Sequence, residues 1–219
     1  MTESTYVKKA ASGLKGFDRV IPLNYQSAKE KFREGYHFCL RYISREKERE
    51  GDLDSQEVND ILNAGLALMP VQHPRTAGWK ATLEEGVTWG RNAASHCKTI
   101  GIHAGTNVWL DLEGVSEDST QQEIDAYCNA WHKEVKAGGF KPGLYVGAGS
   151  RLSGDNLYYR LEFKHYWKSE STVPDIANRG YQLIQHSYTQ DLDLDYTQTD
   201  RKGGNVYWTI KGDEPNPCH

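Results

Sequence analysis

The chain has 219 residues, 37% of them hydrophobic, which is enough for a substantial core and unlike a collagen, coiled-coil or disordered composition. Its longest apolar runs reach only about five to seven residues, far short of the ~20 that cross a bilayer, so no transmembrane helix is expected. With 30 acidic against 26 basic residues, the net charge of −4 lacks the positive field that draws in nucleic acid.

The first nine residues hold no apolar segment of the secretory kind, so synthesis is expected to leave the chain in the cytoplasm. Residues 1–12 and 212–219 read as loose tails around one domain spanning 13–211. Inside it a repeating grammar begins with a strand at 16–21, a helix at 26–34 and a strand at 38–43. Asp54 and Glu57 stand at capping-box spacing before a helix that carries Val58, Ile61 and Leu62 on one face and stops at Gly65. A strand at 66–71 follows. Thr82 and Glu85 cap a helix to about residue 99, and Gly101 precedes a strand at 107–113. Thr120 and Glu123 cap another, with Ile124, Tyr127, Trp131 and Val135 on one face, ending at Gly138 and Gly139. Further strands are expected at 143–147, 165–168, 181–185 and 192–196.

Eight strands alternating with helices imply an α/β fold, a (β/α)8 TIM-type barrel of parallel strands. The last two strands are too close for an intervening helix, so the barrel is expected to be irregular at its C-terminal end. An open doubly wound sheet is the alternative. A nucleotide-binding version of it would need a glycine-rich turn after the first strand, and residues 19–25 contain no glycine. Gly147-Ala148-Gly149 reads as a plain strand-to-helix turn.

Active sites of such barrels lie at the C-terminal ends of the strands. The segment Trp109-Leu110-Asp111-Leu112-Glu113 puts Trp109, Asp111 and Glu113 on one strand face and the leucines on the other. Alternate residues of a strand are about 6–7 Å apart, close enough for one carboxyl to raise the pKa of the next. Paired acids of this kind suit glycoside cleavage, which needs a proton for the leaving oxygen and stabilisation of positive charge at the anomeric carbon. Asp18 at the first strand and Asp191, Asp193 and Asp195 at the last reach the same rim.

Gly16-Phe17-Asp18, Asp111-x-Glu113, Tyr145, Tyr166-Trp167, Gln185 and Asp193-Leu194-Asp195, in that order over about residues 14–197, resemble glycoside hydrolase family 25, the barrel-type lysozymes. Leu40-Arg41-Tyr42-Ile43 and the stretches 53–57 and 64–70 resemble more closely a bacterial group of glycoside-hydrolase-like barrels related to those lysozymes. The resemblance implies Glu113 as proton donor and Asp111 as the group that orients the substrate's 2-acetamido oxygen, with Asp18 and Asp193 tuning the pair. It implies Tyr145 and Trp167 as the lining of the sugar subsite, and Trp109, Gln185, Arg41, His73 and Asp195 are the further candidate substrate-binding residues. The implied substrate is peptidoglycan, cut at the β-1,4 bond between N-acetylmuramic acid and N-acetylglucosamine. Two features depart from the lysozyme pattern: Arg41 and Tyr42 stand where an acid is common, and Gln72-His73-Pro74 replaces a Tyr-His type strand end.

No metal or other cofactor is expected, because none of the eight histidines pairs at ligand spacing. His73 and His186 are expected near the mouth, and His96, His132 and His219 solvated. Cys39, Cys97, Cys128 and Cys218 are scattered and read as reduced thiols, with a disulfide the alternative if an unconventional route exports the chain. The rival to an enzyme is a catalytically silent barrel that binds wall glycan or a protein partner. A wall-cutting enzyme of this kind serves as a phage-type lysin released through a partner pore, or as an antibacterial effector with export machinery and an immunity protein. Neither nucleic acid nor a membrane span belongs to that expectation.

Overall fold

The computed structural model describes residues 4–46, 49–188 and 192–212. Ten strands run in chain order: β1 (Ser4–Lys9), β2 (Lys15–Arg19), β3 (Phe38–Ile43), β4 (Ala67–Gln72), β5 (Asn107–Leu112), β6 (Lys141–Val146), β7 (His165–Lys168), β8 (Leu183–Tyr188), β9 (Asp193–Thr197) and β10 (Tyr207–Gly212). Strands β2 to β9 close into an eight-stranded barrel, since β4 pairs with β5 as well as with β3. Helices α1 (Tyr25–Arg33), α2 (Ser55–Ala64), α3 (Leu83–Thr99) and α4 (Gln121–Ala137) fill the first four crossovers. A short π-helical turn at Asn156–Arg160 takes the place of a helix after β6.

The barrel expected from the sequence is therefore present, but it is mixed. Strands β2 to β8 are parallel, whereas β9 runs antiparallel to both β8 and β2. Only residues 189–192 separate β8 from β9. A parallel return needs a crossover of a dozen or more residues, so this link makes a hairpin instead. The N-terminal tail also differs from expectation: residues 4–9 are β1, paired antiparallel along their length with β10 from Ser4↔Gly212 to Lys9↔Tyr207. Strand β10 joins the barrel edge through Thr209↔Leu68. Residues 213–219, and with them Cys218 and His219, lie outside the described residues.

Local signals set the helices where the sequence places them. Thr120 and Glu123 exchange backbone and side-chain hydrogen bonds in a capping box, and Gly65 ends α2 in the left-handed conformation at φ 101°. At α2 the box is only half made. The Asp54 side chain accepts from the Glu57 backbone N–H at 2.7 Å, but the Glu57 carboxylate turns away to the sheet.

Alternation along the strands builds two cores. Cys39 and Ile43 of β3 face outward into the layer shared with the helices, while Phe38, Leu40 and Tyr42 face into the barrel. Trp208 of β10 stacks on Phe38 with ring centroids 5.3 Å apart and joins Val206 and Ala10 in that inner cluster, at the N-terminal ends of the strands. The open end left for chemistry is the opposite one. Cys39, Cys97 and Cys128 are buried thiols whose pKa burial pushes up.

Candidate active site

Five carboxyls gather at the C-terminal ends of the barrel strands. Asp18 lies near the end of β2 and faces Asp193 across the antiparallel β2–β9 pair, with Asp195 one step deeper opposite Gly16. Like charges placed directly opposite repel. Burial first, and then Asp193, raise the Asp18 carboxyl to about 7, although hydrogen bonds from Gln185 and Tyr42 pull it down. Burial and then Asp18 hold Asp195 well above the carboxylate range, against the opposing bond from Trp167.

Strand β5 supplies the other pair. Asp111 is 6% exposed and its Oδ1 is sealed without a hydrogen-bond partner. Burial, then Glu113, then Asp18 raise its pKa well above the ordinary value. Glu113 follows at the strand end, half-buried, and burial raises its pKa too. Its backbone is pinned by the Trp79 indole, which donates to the Glu113 carbonyl at 2.8 Å. Among the described residues no side chain hydrogen-bonds the Glu113 carboxyl, which leaves it as the least enclosed acid of the β5 pair. Gly147, just past β6, leaves the room it occupies, because a β-carbon there would lie 2.8 Å from Glu113 Oε2.

Gln185 of β8 ties the halves together. Its amide Nε2 donates to Asp18 Oδ2 at 2.9 Å and Asp193 Oδ2 at 3.3 Å, while its Oε1 accepts from the Tyr145 hydroxyl at 3.0 Å. Burial, and then Glu170, raise Asp193. Thus Asp18, Asp111, Glu113, Asp193, Tyr145 and Gln185 share one end of the barrel. Asp191 lies outside the described residues.

Other expected site residues are placed differently. Trp109 is wholly buried and Trp167 is 1% exposed; they meet edge to face at 5.9 Å inside the barrel and offer no open ring. Trp167 Nε1 donates to Asp195 Oδ1 at 2.8 Å, and Asp195 itself is fully buried, so both support the mouth from beneath. Arg41 faces the helices. Its guanidinium bonds Glu57 at 2.5 and 3.1 Å and the carbonyls of Arg19, Val20 and Gly51, and it enters no groove. His186 is exposed on the outer face, edge-on to Tyr196.

His73 does stand at the rim, held by Asp52 Oδ1 at 2.7 Å and stacked on Tyr42 at 4.8 Å. Burial lowers its pKa despite the neighbouring carboxylate. Tyr42 is the residue the sequence reading left out of the site. Its hydroxyl donates to Asp18 Oδ1 at 3.2 Å. The signal was present, since period-two alternation from Phe38 through Leu40 turns Tyr42 inward and Arg41 outward.

A closed α/β barrel with buried and half-buried carboxyls at the C-terminal strand ends defines a glycoside hydrolase-like protein. The chain belongs to the Rv2525c-like, glycoside hydrolase-like domain family, whose model matches residues 30–214. Its fold is similar to that of the Tat-secreted protein Rv2525c of Mycobacterium tuberculosis, at 14% identity and TM-score 0.60 over 85% of this chain and 95% of that one. It is similar as well to the bacterial lysozyme of Streptomyces coelicolor, at 15% identity and TM-score 0.56 over 86% and 93% of the two chains. The catalytic domain of endolysin ply40 from bacteriophage P40 of Listeria monocytogenes matches at 18% identity and TM-score 0.58 over 87% and 95%. No curated protein matches the chain in sequence. Among the described residues no helix is long and apolar enough to cross a membrane.

Proposed function

We propose that this protein is a peptidoglycan hydrolase of the muramidase kind, cutting the β-1,4 bond between N-acetylmuramic acid and N-acetylglucosamine. The observation that carries this reading is the pairing of Glu113, half-open and with a raised pKa, with the enclosed Asp111 two residues earlier on the same strand face. A carboxyl kept protonated by burial can give its proton to the leaving glycosidic oxygen. Asp111 then orients the substrate's 2-acetamido group, whose carbonyl oxygen attacks the anomeric carbon as the bond to the leaving oxygen breaks. Water attacks that carbon in turn, and Glu113, now a carboxylate, takes the proton back.

Asp18, Asp193, Gln185 and Tyr145 hold the far wall of the site through the bonds described above. Capture of the polymer rests on shape and on the Tyr42 and His73 rings at the rim, since the chain carries no cationic excess. The setting that suits this chemistry is the bacterial wall, reached through a partner pore or a dedicated secretion machine.

One observation favours a second reading, a barrel that binds wall glycan without cleaving it: Trp109 and Trp167 are sealed inside, so the mouth lacks two indole platforms. Digestion of purified peptidoglycan separates the two. The wild type is expected to release new reducing ends at N-acetylmuramic acid, and Glu113→Gln to release them about 10²- to 10⁴-fold more slowly with an unchanged thermal midpoint. Equal rates would remove Glu113 as the acid. Glycan that co-sediments with the wild type but yields no new reducing ends would establish the binding reading.

A further inference from the structure

One cavity lies well away from the carboxyl cluster. It encloses about 680 Å³ between the C-terminal half of α4 and the N-terminal ends of β6 and β7. Lys141 opens β6 in this cavity and Tyr145 lies near the carboxyl end of the same strand, four residues or about 13 Å further on. The two places are therefore opposite ends of one strand.

The cavity is basic in an acidic chain. Lys136, Lys141, Lys164 and Arg179 line it against one carboxylate, Glu162, although acids outnumber bases over the whole sequence. Arg179 is already neutralised by Asp200 at 2.9 Å. The three lysines have no ion pair among the described residues, and the Lys141 ammonium is held over the Tyr207 ring at 4.4 Å. Two histidines add buried ring nitrogens. His132, expected on a solvated helix face, is instead only 5% exposed, and its Nδ1 sits 3.4 Å from Glu162 Oε2 without forming a hydrogen bond. His165 Nδ1 is likewise buried with no partner. A buried polar atom left unpaired is costly unless a ligand satisfies it. The remaining lining is apolar and partly aromatic, with Phe140, Tyr158 and Phe163 among it.

We propose that this cavity is a binding site for a phosphate monoester carrying a flat ring. A phosphate brings up to two negative charges and three acceptor oxygens, which matches three unpaired ammoniums and two imidazole nitrogens better than the two oxygens of a carboxylate. The volume of about 680 Å³ falls within the ~300–1,000 Å³ of small-molecule sites, far more than a bare phosphate needs, and the half-buried Tyr158 takes the ring. The electrostatics agree: burial, and then Lys141 and Arg179, lower the His165 imidazole to about 4, so it is neutral near pH 7 and gains from an incoming anion. Burial lowers His132 as well.

The test uses the full chain with phenyl phosphate, inorganic phosphate and phenol as probes, read by calorimetry and by the imidazole resonances of His132 and His165. Phenyl phosphate is expected to bind about tenfold or more tightly than inorganic phosphate, to move both histidines' titrations to higher pH, and phenol is expected not to bind. Lys136→Ala with Lys164→Ala is expected to weaken phenyl phosphate about tenfold, both side chains being exposed and their removal leaving the thermal midpoint in place. Lys133→Ala, on the same helix but outside the cavity, is expected to change nothing. Phenyl phosphate that does not bind at millimolar concentration, binds no better than inorganic phosphate, leaves both histidines unmoved, or binds the double variant as tightly as the wild type would overturn the assignment.

Discussion

Gly147 lies directly against Glu113: a β-carbon at position 147 would sit 2.5 Å from Glu113 Cβ and 2.8 Å from its Oε2. Gly147 is not among the glycines with left-handed backbone, so the need for glycine here is one of space. Gly147→Ala is expected to push the Glu113 carboxyl aside. Misplacing a catalytic group by about 1 Å can cost about 10²-fold in rate, whereas overpacking costs about 1–3 kcal/mol in stability. Wall-cleavage rates measured beside urea midpoints check this; a rate equal to the wild type's would mean that Glu113 has free room.

Asp18 makes stability depend on pH in a stated direction. Its carboxyl titrates near 7 in the folded chain against 3.8 ordinarily, so between those values the folded chain holds a proton that the unfolded chain has lost. The associated stability is fully present below pH 3.8 and disappears as pH rises through about 7. The span amounts to at most about 4 kcal/mol. Asp18→Asn is expected to flatten urea midpoints between pH 4 and 8 and to be the more stable protein at pH 8. A parallel fall in both proteins would exclude Asp18 as the source.

Arg41 and Glu57 are expected to matter for folding and not for glycan contact. Removing Arg41 leaves a buried carboxylate whose remaining donor among the described residues is the Leu23 N–H at 2.7 Å. Breaking a buried pair in this way costs about 3–5 kcal/mol. Arg41→Ala, Glu57→Ala and the double variant are expected to be strongly non-additive in chemical denaturation, with glycan affinity per folded molecule unchanged. A selective loss of affinity would return Arg41 to the binding site.

Trp167→Phe distinguishes support from stacking. It deletes the 2.8 Å bond to Asp195 and leaves a buried acceptor unpaired, at a cost of about 1–3 kcal/mol. Because that bond favours the ionised Asp195, the loss is expected to grow at alkaline pH. KM for glycan is expected to hold, since no face of the indole is open. A raised KM without a change in stability would show that sugar reaches Trp167.

Much of the barrel is legible from local chemistry alone. The Asp54, Thr82 and Thr120 caps and the Gly65 stop act within four residues, and strand phase follows from alternation, so Trp109, Asp111 and Glu113 do share a face. Strand β1 escaped because a six-residue, half-exposed edge has no meaning without its partner at 207–212. Depth along a face escaped too: two residues toward the N-terminal end of β5 carry Trp109 from the mouth into the sealed interior.

The sequence by itself thus determined the order of elements, the side of each strand and the gathering of acids at one end. Only the tertiary structure decided which of those acids a ligand can reach. Burial and like-charge repulsion depend on neighbours brought together by strand pairing, with Asp18 set against Asp193 by an antiparallel strand and Glu113 given room by Gly147. Neither relationship exists until the strands pair.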